Sequence, residues 1–341
     1  MLNILETQQK LIKCALPSGF EKPQAELIAE IAAPFADEIY TDTLGNLVAV
    51  KKGVGNGKKL MLAGHMDVIG FLIVHIDKNG FVRFTNIGGH TPAFLAGTVV
   101  RFENGVRGCI MASDKVENSA TISSVDMLDL YIDIGAKDYD EAKSLVEVGD
   151  VCVFDAEAVS IAGGNIMTPY ADDLMACIVL LLAMEELSDK EVPNDLYFVF
   201  STQEERGLLG AKVAAQHIRP DMGIAVDLTR TGDTPAETVY MAVELGKGPT
   251  IKIKDSSHIC NPQVVSLLRK AAEANGIPYQ DELLLAGGTD AAAIQKSPGG
   301  VPVGVISIPG RNIHSHGEIV NLGDVELAAK LLAAACMEKI S

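Results

Sequence analysis

The sequence predicts an α/β protein, a doubly wound mixed sheet forming the main domain, with an all-β domain inserted into it. Three observations predict it. Both ends of the chain alternate helix-like and strand-like apolar patterns. Between them, from about residue 71 to about 155, run short segments rich in Val, Ile and Phe, separated by Gly, Asn and Asp. The length, 341 residues, exceeds the usual size of one domain.

The elements follow in order. Apolar residues recur at helical spacing over residues 3–14 and again over 23–33. LVAV and KKLMLAG are short apolar runs divided by a Gly-rich turn, and read as strands. KKLMLAG runs straight into His65 and Asp67, which puts both at the C-terminal end of a buried strand, where open α/β sheets gather their ligands. The insert is expected over residues 70–160. FLIVHID, FVRFTNI, TVVRFE, VRGCIMA, LDLYIDIG and VCVF read as strands of a small barrel or sandwich, with a short helix near Tyr139 to Leu145. Alternation then resumes with a helix from Asp173 to Leu187, strand LYFVFST, a helix from Glu205 to His217 and strand GIAVD. A helix at 262–275, strand VPVGVIS and a helix at 323–339 complete the chain. Residues 1–69 and 161–341 therefore form one discontinuous domain around the insert.

Composition bounds the partners. Hydrophobic residues at 48% and charged residues at 21% fit a soluble chain with a sizeable core. A formal charge of -17 opposes binding to phosphate backbones, so nucleic acid is excluded as a partner. The six cysteines are scattered without a CxxC pair, which fits a reducing compartment and a cytoplasmic protein. The N-terminus MLNILETQQKLIKC lacks the basic start and unbroken apolar core of a signal peptide. Leu174 to Met184, the longest apolar run, is too short to span a bilayer, so no membrane association is expected.

Five acidic or histidine clusters lie at strand ends or helix starts: HMD at 65–67, ADD at 171–173, QEE at 203–205, VDL around Asp227, and IHSH at 313–316. Each alone is weak, since Asp172 or Asp173 could simply cap the helix that follows. A doubly wound sheet, however, brings its strand ends to one crevice, and all five map there. Imidazole and carboxylate are ligands of borderline divalent metals, and a pair of ions about 3.5 to 4 Å apart needs a bridging carboxylate with terminal ligands on each side. Glu204 and Glu205, adjacent at a turn, diverge, which suits a ligand beside a general base. A glycosidase needs two carboxylates facing each other across a sugar ring, which neighbours do not readily provide. His75, His90, His217 and His258 fall outside the clusters and read as structural or solvated, and GGTD at 287–290 reads as a turn.

GHMDVIGF, YADDLMACIVLL, STQEERGLLGA, AVDLTRTGD, GGTDAAAI and PGRNIHSHGEIV resemble, in order, the motifs of the M42 metallo-aminopeptidases, a family with glutamyl and TET-type members once described as endoglucanases. The resemblance spans nearly the whole chain. It implies two divalent ions per subunit, Zn²⁺ or Co²⁺ with Mn²⁺ as an alternative. By it His65, Asp172, Glu205, Asp227 and His314 are metal ligands, with Asp172 bridging. Asp67 orients His65 through its second ring nitrogen, and Glu204 is the general base. Thr289 and Asp290 are implied substrate contacts. The insert is implied to be a PDZ-like dimerisation domain, with dimers assembling into a tetrahedral dodecamer. Two departures stand out: Leu174 occupies the place of the family's usual Arg after Asp-Asp, and His316 is not a family position and reads as a loop histidine.

The activity implied is hydrolysis of the N-terminal residue of short peptides with a free N-terminus, by a metal-bridging hydroxide formed when Glu204 takes a proton from the shared water. Two alternatives remain: a related two-metal carboxypeptidase or deacylase, and a non-catalytic assembly protein that kept the shell and lost the chemistry. The preferred N-terminal residue is left open.

Overall fold

A computed structural model describes residues 2–55, 57–112, 125–235 and 241–340. The chain opens with α1 (Ile4–Cys14), capped by the Asn3 side chain accepting from the Glu6 amide, and α2 (Lys22–Ala32), which begins with Pro in its first turn. Strands β1 (Glu38–Thr41), β2 (Leu47–Lys51) and β3 (Lys59–His65) follow. The chain then leaves the main sheet through β4 (Gly70–Ile76), β5 (Val82–Ile87), β6 (Val99–Phe102), β7 (Arg107–Ala112), β8 (Leu130–Asp133) and β9 (Val151–Phe154), with α3 (Tyr139–Leu145) before the last of these. These six strands close into an antiparallel barrel, ordered β4-β5-β8-β7-β6-β9. Each coincides to within about two residues at either end with one of the six runs that the turn signals delimit.

The chain rejoins the main sheet at β10 (Val159–Ile161) and β11 (Asn165–Thr168), then enters α4 (Ala171–Leu187), β12 (Asp195–Ser201), α5 (Leu209–Ile218) and β13 (Met222–Arg230). Strand β14 (Thr250–Lys254), α6 (Pro262–Ala274), β15 (Gln280–Leu283), α7 (Asp290–Gln295), β16 (Val303–Arg311), β17 (Glu318–Asn321) and α8 (Leu322–Cys336) complete it. The result is an 11-stranded mixed sheet, ordered β1-β2-β12-β3-β13-β16-β17-β11-β10, with β14 and β15 attached beside β16. Its middle, β12, β3, β13 and β16, is parallel, as is the attached pair β14 and β15, and β2–β12 and β16–β17 on either side are antiparallel.

Helices cover both faces, and two glycines prove it. A Cβ on Gly64 would meet Ala176 and Leu180 of α4, whereas one on Gly223 would meet Ile294 of α7. The register pairs Gly223 with Met61, whose side chain points opposite to position 64 because strand faces alternate. So α4 and α7 lie on opposite faces. With both faces covered, the middle strands are buried almost throughout, as their near-continuous apolar composition requires.

Two expected helix starts are corrected. The helix expected from Glu205 begins at Leu209, because Gln203, Gly207 and Leu208 have positive φ and the Glu204 and Glu205 amides bond a side chain instead. The helix expected from Asp173 winds regularly only after it, since Asp172 (ψ 100°) and Asp173 (φ -128°) are not helical. Neither Asp caps it: the residue before α4 is Tyr170, without a side-chain cap. The peptide bond between Asp172 and Asp173 is cis. The GGTD segment, read as a turn, leads into the helix α7, six residues long.

Candidate metal centre

The parallel strands bring the site together. His65 ends β3 and pairs in register with Ser201 at the end of β12, so the turn carrying Glu204 and Glu205 leaves the sheet beside it. Ala225 of β13 pairs with Ala63, which sets Asp227 level with His65. Asp172 enters from the start of α4 and His314 from the turn between β16 and β17. His65, Asp172, Glu204, Glu205, Asp227 and His314 all face one cleft of about 510 Å³.

Asp172 is central to it. Its Oδ1 lies 3.2 Å from His65 Nε2 and its Oδ2 3.3 Å from His314 Nε2, so one carboxylate spans two imidazoles. On the His314 side, Glu205 Oε1 is 3.1 Å from the same Nε2. On the His65 side stand Asp227 and Asp173, and Glu204 Oε2 is 3.9 Å from His65 Nε2. Three groups of metal-competent atoms result: His65 with Asp172, Asp173 and Asp227, His65 with Glu204 and Glu205, and Asp172 with Glu205 and His314; Asp172 belongs to the first and the last.

The backbone around these side chains is tied down. Asp67 is fully buried, and its carboxylate accepts from Ser18 Oγ at 2.6 Å and from the Glu204 and Glu205 amides at 2.9 and 3.2 Å. The His65 Nδ1 is closer to the Asp67 carbonyl oxygen, at 3.0 Å, than to its Oδ1, at 3.5 Å. A carbonyl can only accept, so in the neutral ring this contact directs the one proton to Nδ1 and leaves Nε2 to face a cation. Glu318 performs a similar task across the cleft, accepting from the Asp172 amide at 2.9 Å and the His314 amide at 2.7 Å. Glu21 accepts from the Gln203 and Gly19 amides at 3.0 and 2.7 Å.

Protonation reports how crowded the charge is. Burial, then repulsion from neighbouring carboxylates, holds Asp227 and Glu204 well above the carboxylate range, against the attraction of His65. Burial also raises Asp173, and raises Glu318 to about 8. Burial opposes charge on His65, but Asp173 and Glu204 outweigh it and keep it protonated well above the usual histidine range. Burial likewise opposes His314, yet Asp172 and Glu205 raise it to about 11. Asp172 is held low by the two histidines despite burial. Protons thus fill the role of a cation in a nest of buried carboxylates, and the Oδ1 of buried Asp173 has no hydrogen-bond partner. The donor set fits divalent metal, which would displace those protons.

A family model for the M42 glutamyl aminopeptidases matches residues 45–331. The chain belongs to the M42 family. As a member it is a metal-dependent enzyme of the aminopeptidase class, hydrolysing peptide bonds. A protein of Acetivibrio thermocellus, named as a candidate aminopeptidase, is 46% identical over 93% of this chain and 94% of its own. An aminopeptidase of the archaeon Desulfurococcus kamchatkensis superposes with a TM-score of 0.94 at 36% identity, covering 98% of this chain and 94% of that one. The TET1 peptidase of Pyrococcus horikoshii, described as assembling into a tetrahedron or a large octahedral shell, has a TM-score of 0.87 at 33% identity, covering 98% and 100%.

Beyond the six cleft residues, the M42 resemblance named Thr289 and Asp290. Both are buried, and Asp290 accepts from Ser201 Oγ behind the cleft wall, which Gly287 and Gly288 form. Of the other histidines, His75, His217 and His316 are exposed, His258 pairs with Asp255 at 3.0 Å, and His90 packs on Phe71. Asp173 and Glu318 escaped the sequence reading. Asp173 read as a cap; Glu318 sits in the motif after His314, and nothing in its neighbours marks a residue that acts through two amides.

Proposed function

We propose that this M42 chain is a dinuclear aminopeptidase that removes the N-terminal residue of short peptides, with Glu204 as general base. The observation that carries the reading is Asp172, whose two oxygens reach two histidines and belong to two metal-competent groups. His65, Asp172 and Asp227 would hold one ion, and Asp172, Glu205 and His314 the other. Zn²⁺ or Co²⁺ suits these ligands, with Mn²⁺ as an alternative. Bound there, the ions would acidify a water, polarise the first peptide carbonyl and anchor the free α-amine.

The protein's own groups do the rest. Glu204 borders the cleft beside His65, where a carboxylate can take a proton from water and return it to the leaving nitrogen. Asp67 holds the Glu204 and Glu205 amides, so general base and ligand keep their separation. With its carboxylate so engaged, Asp67 would orient His65 mainly through its carbonyl oxygen, 3.0 Å from Nδ1. Gly287 and Gly288 border the substrate's path, with Thr289 and Asp290 supporting them from beneath.

Replacing Glu204 with Gln is expected to abolish cleavage of an unblocked aminoacyl anilide while both ions stay bound. Undiminished cleavage would reject the assignment. The same assay with an N-acetylated anilide separates this reading from a deacylase, since the acetyl group removes the amine.

The barrel serves as the dimerisation domain in this reading, and dimers build a tetrahedral dodecamer. The support is the near-complete overlap with the Pyrococcus horikoshii shell-forming peptidase. All six cysteines are free thiols, in keeping with a cytoplasmic location.

A further inference from the structure

The connection that follows β5 in the barrel runs against the metal centre. A Cβ built on Gly89 would stand 2.9 Å from His314 Nδ1 and 3.2 Å from its Cε1. One built on Gly88 would stand 3.0 Å from Glu205 Oε2 and 2.6 Å from Ile69 Cγ2. The two glycines differ in why they are glycine. Gly88 has a φ of 77°, where the backbone conformation alone disfavours a side chain. Gly89 is not in that region, so what excludes a side chain from it is the imidazole in front of it.

The connection is fixed to the barrel rather than draped over it. The next residue, His90, donates from Nε2 to the Gly70 carbonyl at 3.1 Å and stacks on Phe71 with ring centroids 4.5 Å apart. The His314 ring is therefore bounded on separate sides by separate elements. Its amide is anchored on Glu318, its Nε2 edge faces Asp172 and Glu205, and its Nδ1 edge meets Gly89. Only the last of these comes from the barrel.

We propose that the inserted barrel is a structural part of the second metal position, with Gly88 and Gly89 acting as positioning residues for Glu205 and His314. This rests on the two-metal reading above. A methyl group at position 89 must push either the imidazole or the barrel connection away, and an imidazole displaced by a few tenths of an ångström no longer aims Nε2 between Asp172 and Glu205. The position held by His65 and Asp227 has no contact with Gly89 and should be spared. The seating of the barrel and the filling of the second position are then coupled.

The test is metal titration of the full-length protein, with ion content measured after dialysis. The wild type is expected to take two ions per chain. Gly89→Ala should keep the tighter one and bind the other about 10- to 100-fold more weakly, the range found when a residue supporting a ligand is altered. In a His314→Ala background, where no imidazole meets the added methyl, Gly89→Ala should change nothing further. Two-ion binding of wild-type strength in Gly89→Ala would overturn this inference alone. A wild type that never takes a second ion would overturn the two-metal reading and this inference with it. If Gly89→Ala fails to fold, the double variant should recover the circular dichroism of His314→Ala alone. A double variant that stays unfolded would overturn the proposal.

Discussion

Fully buried Asp67 has two lone-pair-bearing oxygens and three donors, buried Ser18 Oγ and the half-buried amides of Glu204 and Glu205. Replacing it with Asn exchanges one acceptor for a donor and leaves at least one buried N–H facing another. A buried donor left unsatisfied costs about 1–3 kcal/mol. Asp67→Asn is thus expected to lose about that much stability in denaturant titration, and to lower kcat at least about tenfold as Glu204 shifts. Ser18→Ala removes one of the three bonds and is expected to cost about 1 kcal/mol. Unchanged stability in Ser18→Ala would mean that the Ser18–Asp67 bond adds nothing to the fold and that the two amides hold the carboxylate. Residues of this kind were unevenly legible. His65 and Asp67 announce themselves because a strand runs into them. Ser18 lies in a loop 49 positions away from Asp67, and no local pattern records that contact.

Elements were legible where their period was long or their apolar content high. Helix α4 is buried along almost its whole length, and its run of Leu, Ile, Val, Met and Ala could be little else. Strand β14 was not legible, because TIKIK places a lysine in the core. Lys252 is fully buried, 3.1 Å from Glu282 Oε1 and 3.6 Å from Asp255 Oδ2, while Glu282 also accepts from Thr229 and Thr250. Removing one partner strands the other charge, so Lys252→Ala should destabilise by about 3–5 kcal/mol, read from the urea midpoint. A loss below about 1 kcal/mol would mean that the pair is solvated. Arg311 on β16 makes the opposite kind of contact, half in solvent. It bonds Asp233 through two nitrogens and lowers that carboxyl from 3.8 to about 2. A depressed folded pKa means stability that is present above the unfolded value and is lost as pH falls through the folded one. The stability gap between wild type and Arg311→Met should therefore be about 1 kcal/mol near pH 5 and close on the way to about pH 2. A gap that persists at the acid end would assign it to packing by the arginine stem.

At the scale of the molecule, turn spacing revealed the barrel and alternation revealed the surrounding domain, but sheet order was beyond both. Nothing in the apolar period of β12 says that it inserts between β2 and β3, yet that insertion is what sets Glu204 and Glu205 beside His65. The site is consequently a product of the whole fold. Its proposed ligands come from β3, β13, the start of α4 and two turns, and the barrel lies against two of them, Glu205 and His314. Like charges from so many elements repel where they meet, and without metal that repulsion is relieved by protons and, at Asp227, by the Lys252 ammonium. Chelation should therefore loosen the fold as well as stop turnover. An ion bound only to the folded state stabilises it by about 2.7 kcal/mol at one hundred times its dissociation constant, and two ions add. The melting temperature should fall on dialysis against a chelator and return with Zn²⁺ or Co²⁺. His314→Ala should show a smaller fall, since only the position of His65 and Asp227 is left to empty. Equal falls in wild type and His314→Ala would place both ions away from His314 and break the link drawn here between Asp172 and its two histidines.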